Sequence, residues 1–126
     1  LMEFDLGFVK AIKHSESLLE AIFHEGVEVD ESVAAEANAF CDKIMTQPYG
    51  VLVNLANDFS VDFTGSLNIG NSPLEKRVAI LTFRPASKIA MTTVIQSQKK
   101  SFPDKELRFF DDREEALSWL EELPSD

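Results

Sequence analysis

The feature that most constrains this chain is a nearly unbroken apolar run, Gly50-Val51-Leu52-Val53-Asn54-Leu55-Ala56. A run of strand length without polar alternation suits a strand covered on both faces, as in parallel sheets sandwiched by helices. Around it, from Pro48 to Arg77, the chain reads as a strand, a short polar turn, the start of a helix and a lead-in to the next strand. In open α/β sheets, ligands and partners meet the protein beyond the carboxyl ends of such strands. Here that place is Asn57 to Gly65.

The flanking segments supply elements of matching kind. Phe4 to His14 alternates loosely and predicts one strand, with Lys10 and Lys13 marking an exposed edge. Leu18 to Glu25 predicts a second strand, with Leu19, Ala21 and Phe23 on one face, so the two form a hairpin. Asp30 is a good N-cap, and Val33, Ala34, Ala37, Phe40, Cys41, Ile44 and Met45 recur at helical spacing behind it. Past the apolar strand, Asp62-Phe63-Thr64-Gly65 starts a short helix that ends near Gly70, and Ser72-Pro73-Leu74-Glu75 reads as a second start. Val78 to Phe83 is another buried strand, and Pro85 opens a helix with Ala86, Ile89, Ala90, Thr93 and Val94 on one face. Leu107 to Phe110 is the last strand. Asp112 with Glu115 then caps a helix striped by Ala116, Trp119, Leu120 and Leu123 and stopped by Pro124. The predicted order is β-β-α-β-α-β-α-β-α: a single α/β domain over residues 1–126, with a mixed, mostly parallel sheet and helices packed on it.

A chain of 126 residues can bury roughly two-thirds of its unfolded surface, enough to fold without disulfide or metal. Net charge is −10, which disfavours nucleic acid and anionic membranes as partners. The acids concentrate at the ends: residues 48–100 hold only three acids against six bases. The one cysteine, Cys41, excludes an internal disulfide, and its place in an apolar stripe predicts a buried thiol. No apolar run reaches membrane-spanning length and no leader pattern opens the chain, so the cytoplasm is the expected compartment.

Three stretches together carry a family resemblance: LLEAIFHEGVEVD running into a helix, VLVNLANDFSVDFTG at the central strand and turn, and LRFFDDREEALSWLEEL at the end. From about Leu18 to Leu123 the chain resembles the STAS domain of anti-sigma factor antagonists and sulfate transporters. It is most similar to small bacterial STAS-like proteins of the STAS/CRAL-TRIO-like kind. In the antagonists the strand ends in an Asp-x-Ser-Gly turn whose serine is phosphorylated by a partner kinase. Asp62-Phe63-Thr64-Gly65 matches that turn with Thr for Ser, so the resemblance implies Thr64 as candidate phosphoacceptor.

Each candidate also has a plainer reading. A hydroxyl at a helix N-terminus can carry phosphate beside the positive dipole end, yet Asp62 or Thr64 also serves as a simple cap. Gly65 to Ser72 nearly matches a phosphate-binding loop, but Asn71 stands where the lysine belongs. His14 and His24 fall near opposite ends of the predicted hairpin; the lack of a second cysteine argues against a zinc site, and the lack of a serine on a nucleophile elbow argues against a catalytic triad. The acids Asp111, Asp112, Glu114 and Glu115 complement a helix N-terminus. Spacing assigns Phe83, Phe109, Phe110 and Trp119 to the core; Phe59 and Phe63 lie in the loop. The residues predict no enzyme, cofactor or metal.

Two functions are expected. One is a non-enzymatic, STAS-like regulatory domain meeting a protein partner through Asn57, Asp58, Phe59, Ser60, Asp62, Phe63 and Gly65, with Thr64 as a candidate phosphoacceptor second to its reading as a cap. The other is a small carrier or sensor of an apolar, lipid-like ligand, as the CRAL-TRIO likeness implies. It calls for a cavity near Phe59, Phe63 and the helix Ala86–Ser97. The first strand's edge offers a route to a homodimer.

Overall fold

The computed structural model describes residues 1–123. The chain runs through β1 (Met2–Asp5), β2 (Val9–Ser15), β3 (Leu18–Phe23), β4 (Glu28–Val29), α1 (Glu31–Ile44), β5 (Tyr49–Asn54), β6 (Ser60–Val61) and α2 (Phe63–Asn68). It continues through β7 (Glu75–Leu81), α3 (Pro85–Ala90), α4 (Thr92–Ser101), β8 (Glu106–Phe110) and α5 (Arg113–Glu121). Six strands form one sheet in the order β1-β2-β3-β5-β7-β8; β1 to β3 are antiparallel and β3, β5, β7 and β8 parallel.

The central apolar strand is β5, covered on both faces as its composition requires. Leu52 joins Ala79, Leu81, Phe110, Ala116 and Leu120 beneath α5. Val51 on the opposite face packs with Leu19, Met45 and Tyr49 against α1. Further along that face Val78 and Ile80 meet Met91, Val94 and Ile95 of the α3–α4 segment. The helix starts are those the sequence predicts: the Asp30 carboxylate accepts the Val33 N–H at 2.9 Å, and Asp112 accepts those of Glu114 and Glu115 at 2.8 and 3.1 Å. His14 bonds Glu20 at 2.8 Å and His24 bonds Asp5 at 3.0 Å, at opposite ends of the β2–β3 ladder. No helix among the described residues is long and apolar enough to cross a membrane.

Several expectations are corrected. The single strand predicted over Phe4–His14 is a hairpin, because Gly7 takes a left-handed φ of 91° and its N–H bonds the Asp5 carboxylate at 2.8 Å. The sheet edge is therefore β1, and Lys10 and Lys13 lie one strand in. Ser72-Pro73-Leu74-Glu75 forms a turn, with the Ser72 hydroxyl accepting the Leu74 N–H at 3.3 Å, and Glu75 already opens β7. The helix predicted from Pro85 breaks at Met91. Ala86, Ile89 and Ala90 of α3 are exposed, Ile89 by 75%, because the buried stripe is Met91, Val94, Ile95 and Gln98 instead. Phe83, assigned to the core by spacing, is exposed. Cys41 is only half-buried, though burial still pushes its thiol up to about 12. Pro124 lies outside the described residues.

Candidate functional site

At the carboxyl end of β5 the chain leaves the sheet through Asn54, whose side-chain oxygen accepts the Ala56 N–H at 3.0 Å. Residues 57–62 then lie along the segment that follows β3. Gly26 N–H donates to Asp58 O at 2.7 Å, Ser60 N–H to Val27 O at 2.9 Å and Asp62 N–H to Val29 O at 3.1 Å. The result is the two-stranded parallel pair β4–β6, which sequence periodicity does not announce. Asn57 Nδ2 donates to Phe23 O at 3.0 Å, and the Asp58 N–H donates to the Glu25 carboxylate at 2.8 Å. With its backbone polar groups engaged, the loop is a fixed wall.

On this wall the predicted residues part company. The Phe59 ring turns inward and stacks on Phe23, with ring centroids 4.8 Å apart. Asp58 and Ser60 are exposed, and Asp58 reaches across to Arg84 at 2.7 Å. Asp62 caps α2: one carboxylate oxygen accepts the Gly65 N–H at 2.7 Å and the Thr64 hydroxyl at 2.9 Å. Thr64 is exposed. Gly65 is buried, and a Cβ there would stand 2.0 Å from the Val29 carbonyl oxygen, so only glycine lets α2 approach β4. Phe63 is 70% exposed, and Leu67, one helical turn on, is exposed beside it.

Opposite the wall stands α3. Between them runs an open cleft of about 530 Å³, with Asn57, Asp58, Phe59 and Ser60 on one side and Arg84, Ala86, Ser87 and Ala90 on the other. Beneath the cleft, between the sheet and α4, lies a smaller apolar cavity of about 70 Å³. Phe59, Val61 and Met91 line both spaces. The cavity walls are otherwise aliphatic and aromatic: Phe23, Val53, Val78, Ile80, Val94 and Leu107.

The cavity's far end, toward the amino ends of β5 and β7, is polar. Glu75 and Gln98 line it. Lys105, its side chain only 2% exposed, donates to Gly70 O at 2.6 Å, to Gln98 Oε1 at 2.7 Å and to Glu75 Oε1 at 3.4 Å. Gln98 donates in turn to Ile69 O. Burial pushes the Glu75 carboxyl up, against the opposing pull of Lys105. Burial likewise raises the phenol of Tyr49, which pairs with Glu75 across the β5–β7 ladder.

The structure thus brings Asn57, Asp58, Phe59 and Ser60 to one cleft and sends Phe63 and Thr64 to a separate, exposed face of α2. The sequence reading missed Met91, Glu75, Gln98 and Lys105. Met91 carried a findable signal, since it heads the 91, 94, 95, 98 spacing.

No protein-family model matches the sequence, and no curated protein matches it. Among solved structures, the chain is similar to an uncharacterised protein of the DUF3478 family from Shewanella loihica PV-4, described as having a SpoIIAA-like fold. The two are 16% identical, the match covers 89% of this chain and 91% of that one, and the TM-score is 0.58. At that identity the likeness establishes the fold, which is SpoIIAA-like, that is, STAS-like.

Proposed function

We propose that this chain is a non-catalytic binding domain that takes a small apolar ligand between its sheet and α4, with α3 and the Asn57–Val61 wall at the entrance. The observation that carries this reading is the small apolar cavity between the sheet and α4, which shares the lining residues Phe59, Val61 and Met91 with the cleft. Burying an aliphatic group there is worth about 0.8 kcal/mol for each methylene removed from water. Met91 suits a gate, because its unbranched thioether chain re-packs readily and it sits at the break between two helices. The test is native mass spectrometry of the protein isolated gently from its host, beside a Val94→Phe variant that fills the cavity. A small apolar mass is expected on the natural chain and absent from the variant. Equal ligand on both, or none on either, sinks the reading.

A second reading is favoured by a different observation, the exposed pair Phe63 and Leu67 on α2 next to Thr64. This is the STAS-like partner surface, with Thr64 as phosphoacceptor. The exposure of Thr64 supports access by a kinase, and a phosphate there would stand against the Asp62 carboxylate, loosening the cap of α2. The same measurement tests it: a phosphate-sized increment mapping to the Thr64 peptide is expected, and an unmodified peptide at full occupancy rules the switch out.

A further inference from the structure

The six-stranded sheet ends in two edge strands, β1 and β8, and they differ in what they offer. One bond fixes the phase of β8: Phe110 O accepts the Thr82 N–H, just past β7, at 2.9 Å. Backbone groups alternate sides along a strand, so Glu106, Arg108 and Phe110 turn theirs toward β7, where Arg77, Ala79 and Leu81 stand beside them. Leu107 and Phe109 turn theirs to the outer side, where no strand lies among the described residues. Each presents an N–H and a C=O there, the template on which a further strand can be added.

The side chains divide between the two faces. Leu107 and Phe109 pack on the α4 face with Val78 and Ile80. Glu106 and Arg108 lie on the α5 face, both exposed and of opposite charge. Arg77 holds Glu106 in place with a bond of 3.0 Å and itself reaches Trp119 O at 2.8 Å. Arg108 rests over the Phe110 ring at 5.0 Å and forms no ion pair among the described residues.

This strand is complementary to itself in one register. When it pairs antiparallel with a copy of itself, outward-turned residues must meet outward-turned residues, so the two-fold axis passes through Leu107, Arg108 or Phe109. An axis at Arg108 sets two guanidiniums against each other. An axis at Phe109 draws Glu106 toward Asp112 of the other copy, acid against acid. An axis at Leu107 sets Glu106 opposite Arg108 twice, at the positions where facing side chains stand closest, with Cα atoms about 4.5 Å apart. The edge strand β1 offers no such register: its only charges are Glu3 and Asp5, so pairing it with itself gathers acids alone.

We infer that a second copy of this chain docks on β8, antiparallel about Leu107, and joins the two sheets into one. Two Glu106–Arg108 pairs on the α5 face and the outer backbone groups of Leu107 and Phe109 hold it. A contact of one short strand on each side falls at the small end of specific interfaces, so the dimer is reversible and depends on concentration.

Sedimentation velocity of the full chain over a concentration series reads the association, and amide hydrogen exchange reads its place. The Leu107 and Phe109 amides are expected to slow by about tenfold as the dimer comes to predominate, while those of β1 keep their rates. Glu106→Arg and Arg108→Glu each turn both cross-strand pairs into like-charge pairs, and each protein alone is expected to associate about tenfold more weakly. Mixed in equal amounts they restore two opposite pairs, so the mixture is expected to associate like the natural chain. A natural chain that stays monomeric up to about 1 mM overturns the proposal, as does slowed exchange at strands other than β8. Unchanged association of Glu106→Arg alone, or a mixture that does not recover, overturns the Leu107 register. The exchange test uses the natural chain, so it decides the matter even where a variant fails to fold.

Discussion

Gly65 shows how much a single missing side chain decides. It sits where α2 crosses the Val29 carbonyl, and a methyl group there would overlap the carbonyl oxygen and stand 2.8 Å from its carbon. Neither atom belongs to a flexible side chain, so the backbone must move. Gly65→Ala is expected to cost about 2–3 kcal/mol, read as a lower denaturant midpoint at unchanged slope. Thr64→Ala, which loses one exposed bond to Asp62, is expected to cost less than about 1 kcal/mol. A Gly65→Ala protein as stable as Thr64→Ala would refute this account of the turn. The turn was legible in sequence as a cap, since Asp-x-Thr-Gly names the acceptor, but that Gly65 must lack a Cβ is visible only where α2 meets β4. Glu75 was not. In Ser-Pro-Leu-Glu it carries the signature of a helix start, and only the β5–β7 register and a lysine thirty residues on reveal a strand residue turned into a cavity.

At the scale of elements, sequence pattern succeeds where burial is one-sided and strong. The α1 and α5 stripes and the apolar β5 stand as read, and the second predicted strand pairs antiparallel with the one before it as expected. Pattern fails where apolar residues are small or where pairing is distant. Ala86, Ile89, Ala90 and Thr93 mimic a helical stripe, but two alanines hold little area, and the heavier set Met91, Val94 and Ile95 takes the core. That choice leaves α3 with no buried residue, resting at the cleft through Arg84 and its bond to Asp58. Helices of this kind draw on the low end of local stability, which is what an entrance requires. The β4–β6 pair is only two residues on each side, too short for any periodicity, yet it fixes the whole wall opposite α3. The site is thus built from one element the pattern misphased and one it could not see.

For the molecule as a whole, one contact ties the beginning of the chain to its end. Glu20 on β3 is almost fully buried, and it accepts two bonds from Arg113 at the start of α5, at 2.6 and 2.9 Å. His14 at 2.8 Å and Asn54 at 3.1 Å complete its shell. Burial by itself would raise this carboxyl; the bonds from Arg113, Asn54 and His14 outweigh it and hold Glu20 at about 2, against 4.5 in an ordinary glutamate. The unfolded chain therefore takes up this proton near pH 4.5 and the folded chain only near pH 2. Between those values the unfolded state binds more protons, so stability is lost as pH falls through that window. Glu75 is shifted the other way, so the folded chain takes up that proton first and the stability it adds as pH falls accrues above pH 4.5, outside the Glu20 window. Arg113→Met removes the clamp while keeping the stem that packs beside it. Because the guanidinium is nearly half exposed, the expected loss at pH 6 is only about 1–2 kcal/mol. The variant should then lose less further stability than the natural chain between pH 5 and pH 3, and the two denaturation midpoints should converge as Glu20 protonates. Parallel acid profiles for the two proteins would show that the link between the first sheet strands and the last helix lies elsewhere.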